Sequence, residues 1–537
     1  MISSGFTGRS ILCAVVLVPL LASPQAVQPL PDSAPGLLSF KELVTLSGVQ
    51  TPEGELGQRY RLLLETPFVS NAAYRQGVRP IRPVRHKLGP LLRVAVWNIE
   101  RGSNYGYIRD ALGDPQKFHT LVSAQDSSNT ANASEAYRQS IMLQESDVVI
   151  LNEVDFGMTR SAYRDVAGEL ARSLNMNYAF GVEFIEIDSL YIGTERLVTP
   201  DKELTERLKR DMEVDPARYR GLHGTAILTR YPIHGARIYR FQPCYDWYGK
   251  EKEEIAKLER GRRFAAYRIF LERITREVRH GGRMALIVEI AVPESPTGFV
   301  TIVAPHLESR CLPPCRRKQM EELLAHIRHE KNPVIIGGDL NTTGSDGAPT
   351  SIRREIAKRL QNPRFWVSQA ISWFTPLTIP NMFVMPSNYV KNYLDPTAMH
   401  IPFVAPNGES GLFKRVEKFR FDDGRSFDFR GDPVRSGNGR GSTLGNSNQR
   451  AAKGFAPTLC FKRDYGGLMG RFKVDWILIA PQTHDPREAH QSYWFAPHYP
   501  LTLADLNEAV PDKISDHHPI IADLPLINSD RLNTAAH

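Results

Sequence analysis

Cysteine is scarce: five residues in a chain of 537. No CxxC pair occurs and no second cysteine pair could complete a zinc ribbon, which argues against a structural zinc framework. Long apolar runs are lacking too. The longest, Ile11 to Ala22, is interrupted by Pro19 and falls short of the ~20 residues a membrane-spanning helix needs. No later stretch is long and apolar enough to cross a bilayer as a helix, and no internal repeat is present. Hydrophobic residues make up 42% and charged residues 23%, ordinary for a soluble globular protein, so a fibrous or wholly disordered chain is excluded.

The apolar run sits where a targeting signal would. Met1 to Arg9 carries one positive charge and no acid, and small residues surround Ala22, Ser23 and Ala26. This three-part pattern reads as a secretory signal over residues 1–26, so the mature protein is expected to be secreted or periplasmic. Cys13 would leave with it. Cys244, Cys311, Cys315 and Cys460 remain, an even number where disulfides are permitted. Cys311 and Cys315 flank Leu312-Pro313-Pro314, a turn-like stretch that could close a small loop; free buried thiols are the other reading. The net charge of +8 and pI near 9.1 fit an anionic substrate such as nucleic acid, a phospholipid surface or a phosphorylated small molecule. A solvated basic surface would give the same totals.

Residues 27–88 form a mixed, proline-rich N-terminal extension in which Lys41–Leu46 and Gly57–Leu64 read as ordered. From Leu91 the pattern changes. Leu92 to Trp97 alternates and is rich in branched side chains, the mark of a strand. Strand-like runs recur at Val148–Leu151, Thr225–Leu228, Met284–Ile290, Phe299–Val303, Val334–Ile336 and Val474–Ile479. Amphipathic helices are expected over Ser161–Leu174 and Arg316–His329. The layout predicts an α+β fold of two packed sheets with helices outside. It fills residues 89–527, is interrupted by insertions at about 188–219, 246–279 and 343–471, and is followed by a tail at 528–537. Within the third insertion, Gly431–Gly454 is too poor in apolar residues to fold alone. Tyr245, Trp247 and Tyr248 either offer stacking contacts or pin their insertion to the core.

The strand ends carry the chemistry. Trp97-Asn98-Ile99-Glu100, Asn152-Glu153, Pro305-His306-Leu307-Glu308, Gly338-Asp339-Leu340-Asn341, Asp475 and Ser515-Asp516-His517-His518-Pro519 bring acids, amides and imidazoles to one expected rim. A single Asp after a strand is usually a cap; six such pieces in order are not explained by capping.

This ordered set, with Gly224-Thr225-Ala226-Ile227-Leu228, resembles the endonuclease/exonuclease/phosphatase superfamily, which includes pancreatic-type deoxyribonuclease, apurinic-site endonucleases, neutral sphingomyelinases and inositol polyphosphate 5-phosphatases. The resemblance runs from about Leu91 to Leu526. It implies a four-layer α/β/β/α sandwich of two mixed β-sheets and metal-assisted hydrolysis of phosphoesters, with magnesium, manganese or calcium as the metal. By resemblance Glu153 is the principal metal ligand, assisted by Asn98, Glu100 and Asp516. Asp339 and Asn341 position the attacking water and a phosphate oxygen. His517, oriented by Asp475, contacts the phosphate or acts as base, and His306 steadies the leaving group or a nonbridging oxygen. Which of Asp339 and His517 takes the proton stays open.

Two features depart from the family pattern. His223-Gly224-Thr225 lacks the usual Asn, and Asp475-Trp476-Ile477 lacks the Trp-Cys-Asp-Arg signature of the inositol phosphatases. The expected activity is phosphodiester cleavage in nucleic acid or phospholipid head groups. A phosphomonoesterase of the same fold and a non-catalytic binding module are the alternatives.

Overall fold

The alternation at Leu92–Trp97 decides the architecture. Val94 and Val96 point one way, into a dry layer, while Ala95 and Trp97 point the other, toward helices. A strand that is apolar on both faces must be covered on both, so the sheet it belongs to is an inner layer. The computed structural model describes residues 28–85, 89–125, 130–189, 192, 214–252, 277–344, 395–398, 407–429, 447–451, 454–461, 471–481, 495, 498–511 and 513–526. The expected signal (1–26), most of the loop at 431–454 and the tail at 528–537 lie outside them.

In chain order the strands are β1 (Phe68–Ser70), β2 (Val84–Arg85), β3 (Gly89–Asn98), β4 (Val148–Phe156), β5 (Asn177–Glu186), β6 (Leu222–Thr229), β7 (Ile233–Arg240), β8 (Arg279–Gly281), β9 (Met284–Ala291), β10 (Phe299–Pro305), β11 (Val334–Asp339), β12 (Leu459–Cys460), β13 (Arg471–Phe472), β14 (Asp475–Ala480), β15 (Tyr499–Thr502) and β16 (Ile520–Pro525). Among the described residues the first sheet runs β1-β5-β6-β4-β3-β16-β15, with β2 also pairing with β3 and β8 with β5, and the second runs β14-β11-β10-β9-β7. Both are mixed: β3–β4 and β10–β11 are parallel pairs in otherwise antiparallel surroundings. Val94, Val96, Ile150 and Ile227 of the first sheet meet Leu286, Ile302, Ile335 and Ile477 of the second. Helices cover the outer faces, through Leu170 and Phe118 on one side and Leu323, Leu324 and Phe413 on the other. The fold is thus the α+β, two-sheet sandwich that the sequence predicts.

The expected strands all form, several extended by a few residues. The helices differ in bounds. The one expected at Ser161–Leu174 begins at Val166, because Asp165 caps it by accepting from the Gly168 N–H. The other starts early, at Pro313, where proline suits a first helical turn. The N-terminal extension is built into the domain. Helices Phe40–Gly48 and Gly54–Glu65 bury Leu43, Leu46, Leu63 and Leu64, and β1 lengthens the first sheet. Trp247 and Tyr248 are buried, so they pin their insertion to the core rather than offer a stacking surface. The disulfide also corrects the small-loop expectation: Cys315 pairs with Cys244, 71 residues earlier, and Cys311 stays a buried thiol.

Candidate active site

Strand direction gathers the polar ends. The parallel strands β3 and β4 both finish at one rim, as do β10 and β11 of the facing sheet. β14 runs antiparallel to β11, so its first residue, Asp475, stands beside Asp339. The turn before β16 returns Ser515 to His518 to the same place. Here the sheets approach too closely for side chains. A Cβ on Gly337 would press on Ile150 and Val96 of the first sheet, and one on Gly338 would lie 2.1 Å from the Pro305 carbonyl oxygen of its own sheet. Asn152 bridges the gap. Its Nδ2 donates to Thr225 Oγ1 (3.0 Å) and the Pro305 carbonyl (3.4 Å), and its Oδ1 accepts from the Asp339 N–H (2.9 Å).

At the centre is Asp339. Its Oδ2 accepts from Asn98 Nδ2 (3.2 Å) and lies 3.7 Å from His306 Nε2 and 3.9 Å from His517 Nε2. On its other side His517 Nδ1 is 2.8 Å from Asp475 Oδ2. Burial works against charging the His517 ring. Asp475 first, then Asp516 and Asp339, outweigh it and hold the imidazole well above its ordinary range. Asp339 is raised above the usual carboxylate range, first by burial and then by Asp475. Asn341 folds back: its Nδ2 donates to the Leu307 carbonyl (2.9 Å) and its N–H to Asp339 Oδ1 (2.8 Å), fixing the turn that carries His306. Asn341 is buried, and so are Thr342 and Thr343, so the sequon they form is closed to a glycan in the folded chain. His518, next to His517, is structural. It is buried against Asn507, and burial pushes its pKa down to about 3.

Glu153 stands at a bulge in β4, where the pairing with β6 shifts between Leu151 and Val154. Its φ is +53°, and Glu100 (+46°), Arg101 (+67°) and Asn341 (+49°) share that left-handed backbone. For residues with a Cβ such conformations cost of order 1–3 kcal/mol and gather where side-chain direction matters. The Glu100 N–H donates to Asn98 Oδ1 (3.1 Å), linking the turn after β3 to the centre. Burial would raise Glu153, but Arg101, His223, His306 and His517 hold it down to about 2, so it is ionised at all ordinary pH. Its nearest cation, Arg101 Nε, is 3.9 Å away, and no hydrogen-bond donor among the described residues reaches its carboxylate. An ionised carboxylate without a donor, on the same rim as the amide of Asn98 and the half-open Asp516, offers hard oxygen atoms to a ligand. It fits magnesium, manganese or calcium and not a thiolate-seeking metal.

One functional neighbour is absent from the sequence reading. Glu183, in the middle of β5, sits 3.2 Å from His306 Nδ1, and Arg283 lies 3.0 Å from the same carboxylate and 2.7 Å from that ring nitrogen. His306 and Arg283 hold Glu183 far below the usual carboxylate range against the effect of burial. The signal available in the sequence was a lone acid inside the apolar run Phe180-Gly181-Val182-Glu183-Phe184-Ile185, since a buried charge must have a partner. The departure at His223-Gly224-Thr225 also has a physical role. His223 Nδ1 meets Asp155 (2.8 Å), Thr225 Oγ1 donates to Glu183 (2.6 Å), and a Cβ on Gly224 would collide with the Gly181 carbonyl.

Two mixed sheets packed face to face thus deliver carboxylates, amides and a carboxylate-held imidazole to one rim. The chain belongs to the Endonuclease/Exonuclease/phosphatase family, whose model matches residues 95–517. Members of this family are hydrolases acting on phosphoester bonds and generally use a divalent metal. Among solved structures, an endonuclease/exonuclease/phosphatase from Beutenbergia cavernae is 15% identical (81% of this chain, 71% of that one, TM-score 0.34). Truncated Caenorhabditis elegans TDP2 is 12% identical (81% and 97%, TM-score 0.32). The human Nocturnin catalytic domain with bound sulfate is 12% identical (81% and 93%, TM-score 0.32). No curated protein matches the chain. No helix among the described residues is long and apolar enough to cross a membrane.

Proposed function

We propose that the protein is an exported, divalent-metal-dependent phosphodiesterase acting on nucleic acid or phospholipid head groups. The observation that carries this reading is the convergence of Asn98, His306 and His517 on one oxygen of Asp339, with Asp475 behind His517. A phosphodiester is anionic and repels hydroxide, so its hydrolysis needs an oriented water, a proton acceptor and positive charge around the phosphoryl oxygens. Asp339, at the point of convergence, takes the proton of the attacking water. His517, kept charged by Asp475, Asp516 and Asp339, meets a phosphoryl oxygen. His306, steered by Glu183, faces the leaving group. Glu153 and Asn98, with Glu100 and Asp516, would hold the metal, which supplies charge neutralisation and Lewis acidity when bound. The Cys244–Cys315 disulfide supports export, because such bonds persist in oxidising compartments.

The test is hydrolysis of bis(p-nitrophenyl) phosphate and p-nitrophenyl phosphate with magnesium, manganese or calcium, with EDTA, and with His517→Ala and Glu153→Gln. Diester cleavage that EDTA and both substitutions abolish is expected. Cleavage of the monoester alone would make the protein a phosphomonoesterase. No turnover by folded protein with any of the metals would sink the proposal.

A further inference from the structure

Beside the reaction centre runs a row of four charged groups that the chemistry above leaves unused beyond Glu153. Arg101 Nε is 3.9 Å from Glu153, and its other end donates to Glu277 Oε1 at 2.7 Å. Arg279 donates to the same Glu277 oxygen at 2.9 Å, and Arg310 approaches Oε2 at 3.5 Å. Three guanidinium groups therefore close on one carboxylate, a single arginine's width from the proposed metal ligand. The row is also where the cluster opens to solvent. Side-chain exposure is 25% for Glu153, 24% for Arg101, 16% for Glu277 and 17% for Arg310, against 1% for Glu186 and none for Glu251; Arg279, at 3%, forms the buried wall behind them.

Two of the arginines, Arg279 and Arg310, do not depend on Glu277 for their positions, whereas Arg101 is held, among the described residues, by Glu277 and Glu153 alone. Arg279 and Arg310 lie over the Trp247 ring at 5.1 and 4.7 Å, and Trp247 is fixed by donating to Glu308 (2.9 Å). Arg310 also reaches Glu251 and Tyr245, and Arg279 faces Glu186 at 3.8 Å. Asp155 and the rest of Glu186 are taken by Arg160. Glu277 is thus the partly exposed anion of the group, in a cradle held from below. Guanidinium forks match phosphate better than a single carboxylate, since phosphate offers more oxygens and up to twice the charge.

We propose that Arg101, Arg279 and Arg310 form an anion subsite that Glu277 fills in the free protein, and that a second phosphate group of the substrate takes its place. The proposal rests on the phosphodiesterase reading and narrows it to substrates with a second phosphate next to the one cleaved. Because one anion replaces another in a prepared site, little of the cradle has to move.

Binding is measured without turnover, by calorimetric titration of the full chain in buffer free of divalent cations. The probes are inorganic pyrophosphate and thymidine dinucleotides with and without a 5′-phosphate. Glu277→Gln, which keeps shape and removes charge, is expected to tighten pyrophosphate by about tenfold, and Arg101→Gln to weaken it by a similar factor. The same responses with the 5′-phosphorylated dinucleotide place the second phosphate on a nucleic-acid strand; pyrophosphate alone places it on a small phosphorylated molecule. Unchanged affinities in a Glu277→Gln variant that melts like the parent overturn the subsite. Should that variant not fold, unchanged pyrophosphate affinity in Arg101→Gln overturns it instead. Since no step is catalytic, the subsite and the phosphodiesterase reading stand or fall by separate results.

Discussion

Asp475 Oδ2 and His517 Nδ1 lie 2.8 Å apart, joining the first residue of the second sheet's edge strand to the turn that leads into the first sheet. The carboxylate fixes the ring so that Nε2 faces Asp339. Asp475→Asn should keep the fold and lower kcat by about 10²–10⁴-fold, the range seen when a positioned acid–base group is lost. Diester hydrolysis and a thermal melt on the same sample check this. A rate within tenfold of the parent would remove the pair from the chemistry.

Asn152 should matter as much to stability as to rate. Asn152→Ala strands the buried Asp339 N–H and the Pro305 carbonyl and loosens the seam between the sheets. A loss of about 2–4 kcal/mol is expected from two to three buried hydrogen bonds, read from denaturant unfolding. An unfolding midpoint equal to the parent's would show that the seam holds without it.

The sulfur arrangement predicts a labelling pattern. Cys311 is buried, and burial pushes its thiol up to about 12, so it should resist iodoacetamide at pH 8 in the native chain and react once unfolded. Peptide mapping without reduction should recover Cys244 joined to Cys315. Recovery of Cys311 joined to Cys315 would contradict the structure.

His280 predicts an acid sensitivity. Burial lowers its pKa, while its Nε2 sits 3.0 Å from the Leu46 carbonyl. The native ring binds a proton less readily than the unfolded chain does, whose value is near 6.5. Its contribution to stability is therefore present above about pH 6.5 and is lost as the pH falls below it. His280→Gln should lose less melting temperature than the parent between pH 7 and 5. Equal losses would assign the acid sensitivity to other groups.

The rim was legible because each of its residues follows a short apolar run, and periodicity exposes such runs directly. Val94–Trp97 and Val334–Ile336 needed no tertiary context to be read as strands, and the residues after them had nowhere to go but the rim. Glu183 was not legible in that way, since its partners lie 100 and 123 residues ahead. The helices Tyr105–Gly113, Pro115–Gln125 and Thr130–Gln144 escaped notice because their apolar faces are short or mixed with polar residues. The Cys244–Cys315 link escaped for another reason. The nearest cysteine in sequence is the natural guess, and only the fold brings a distant one closer.

The left-handed backbone at Glu100, Glu153 and Asn341 has a consequence for the protein's history. Glycine would adopt each of these conformations without strain, at a gain of about 1 kcal/mol per position, and would delete the side chain that makes the position useful. A lineage selected for robustness alone would drift toward glycine there and go silent. With acid and amide at all three, the chain trades durability for the direction of a side chain.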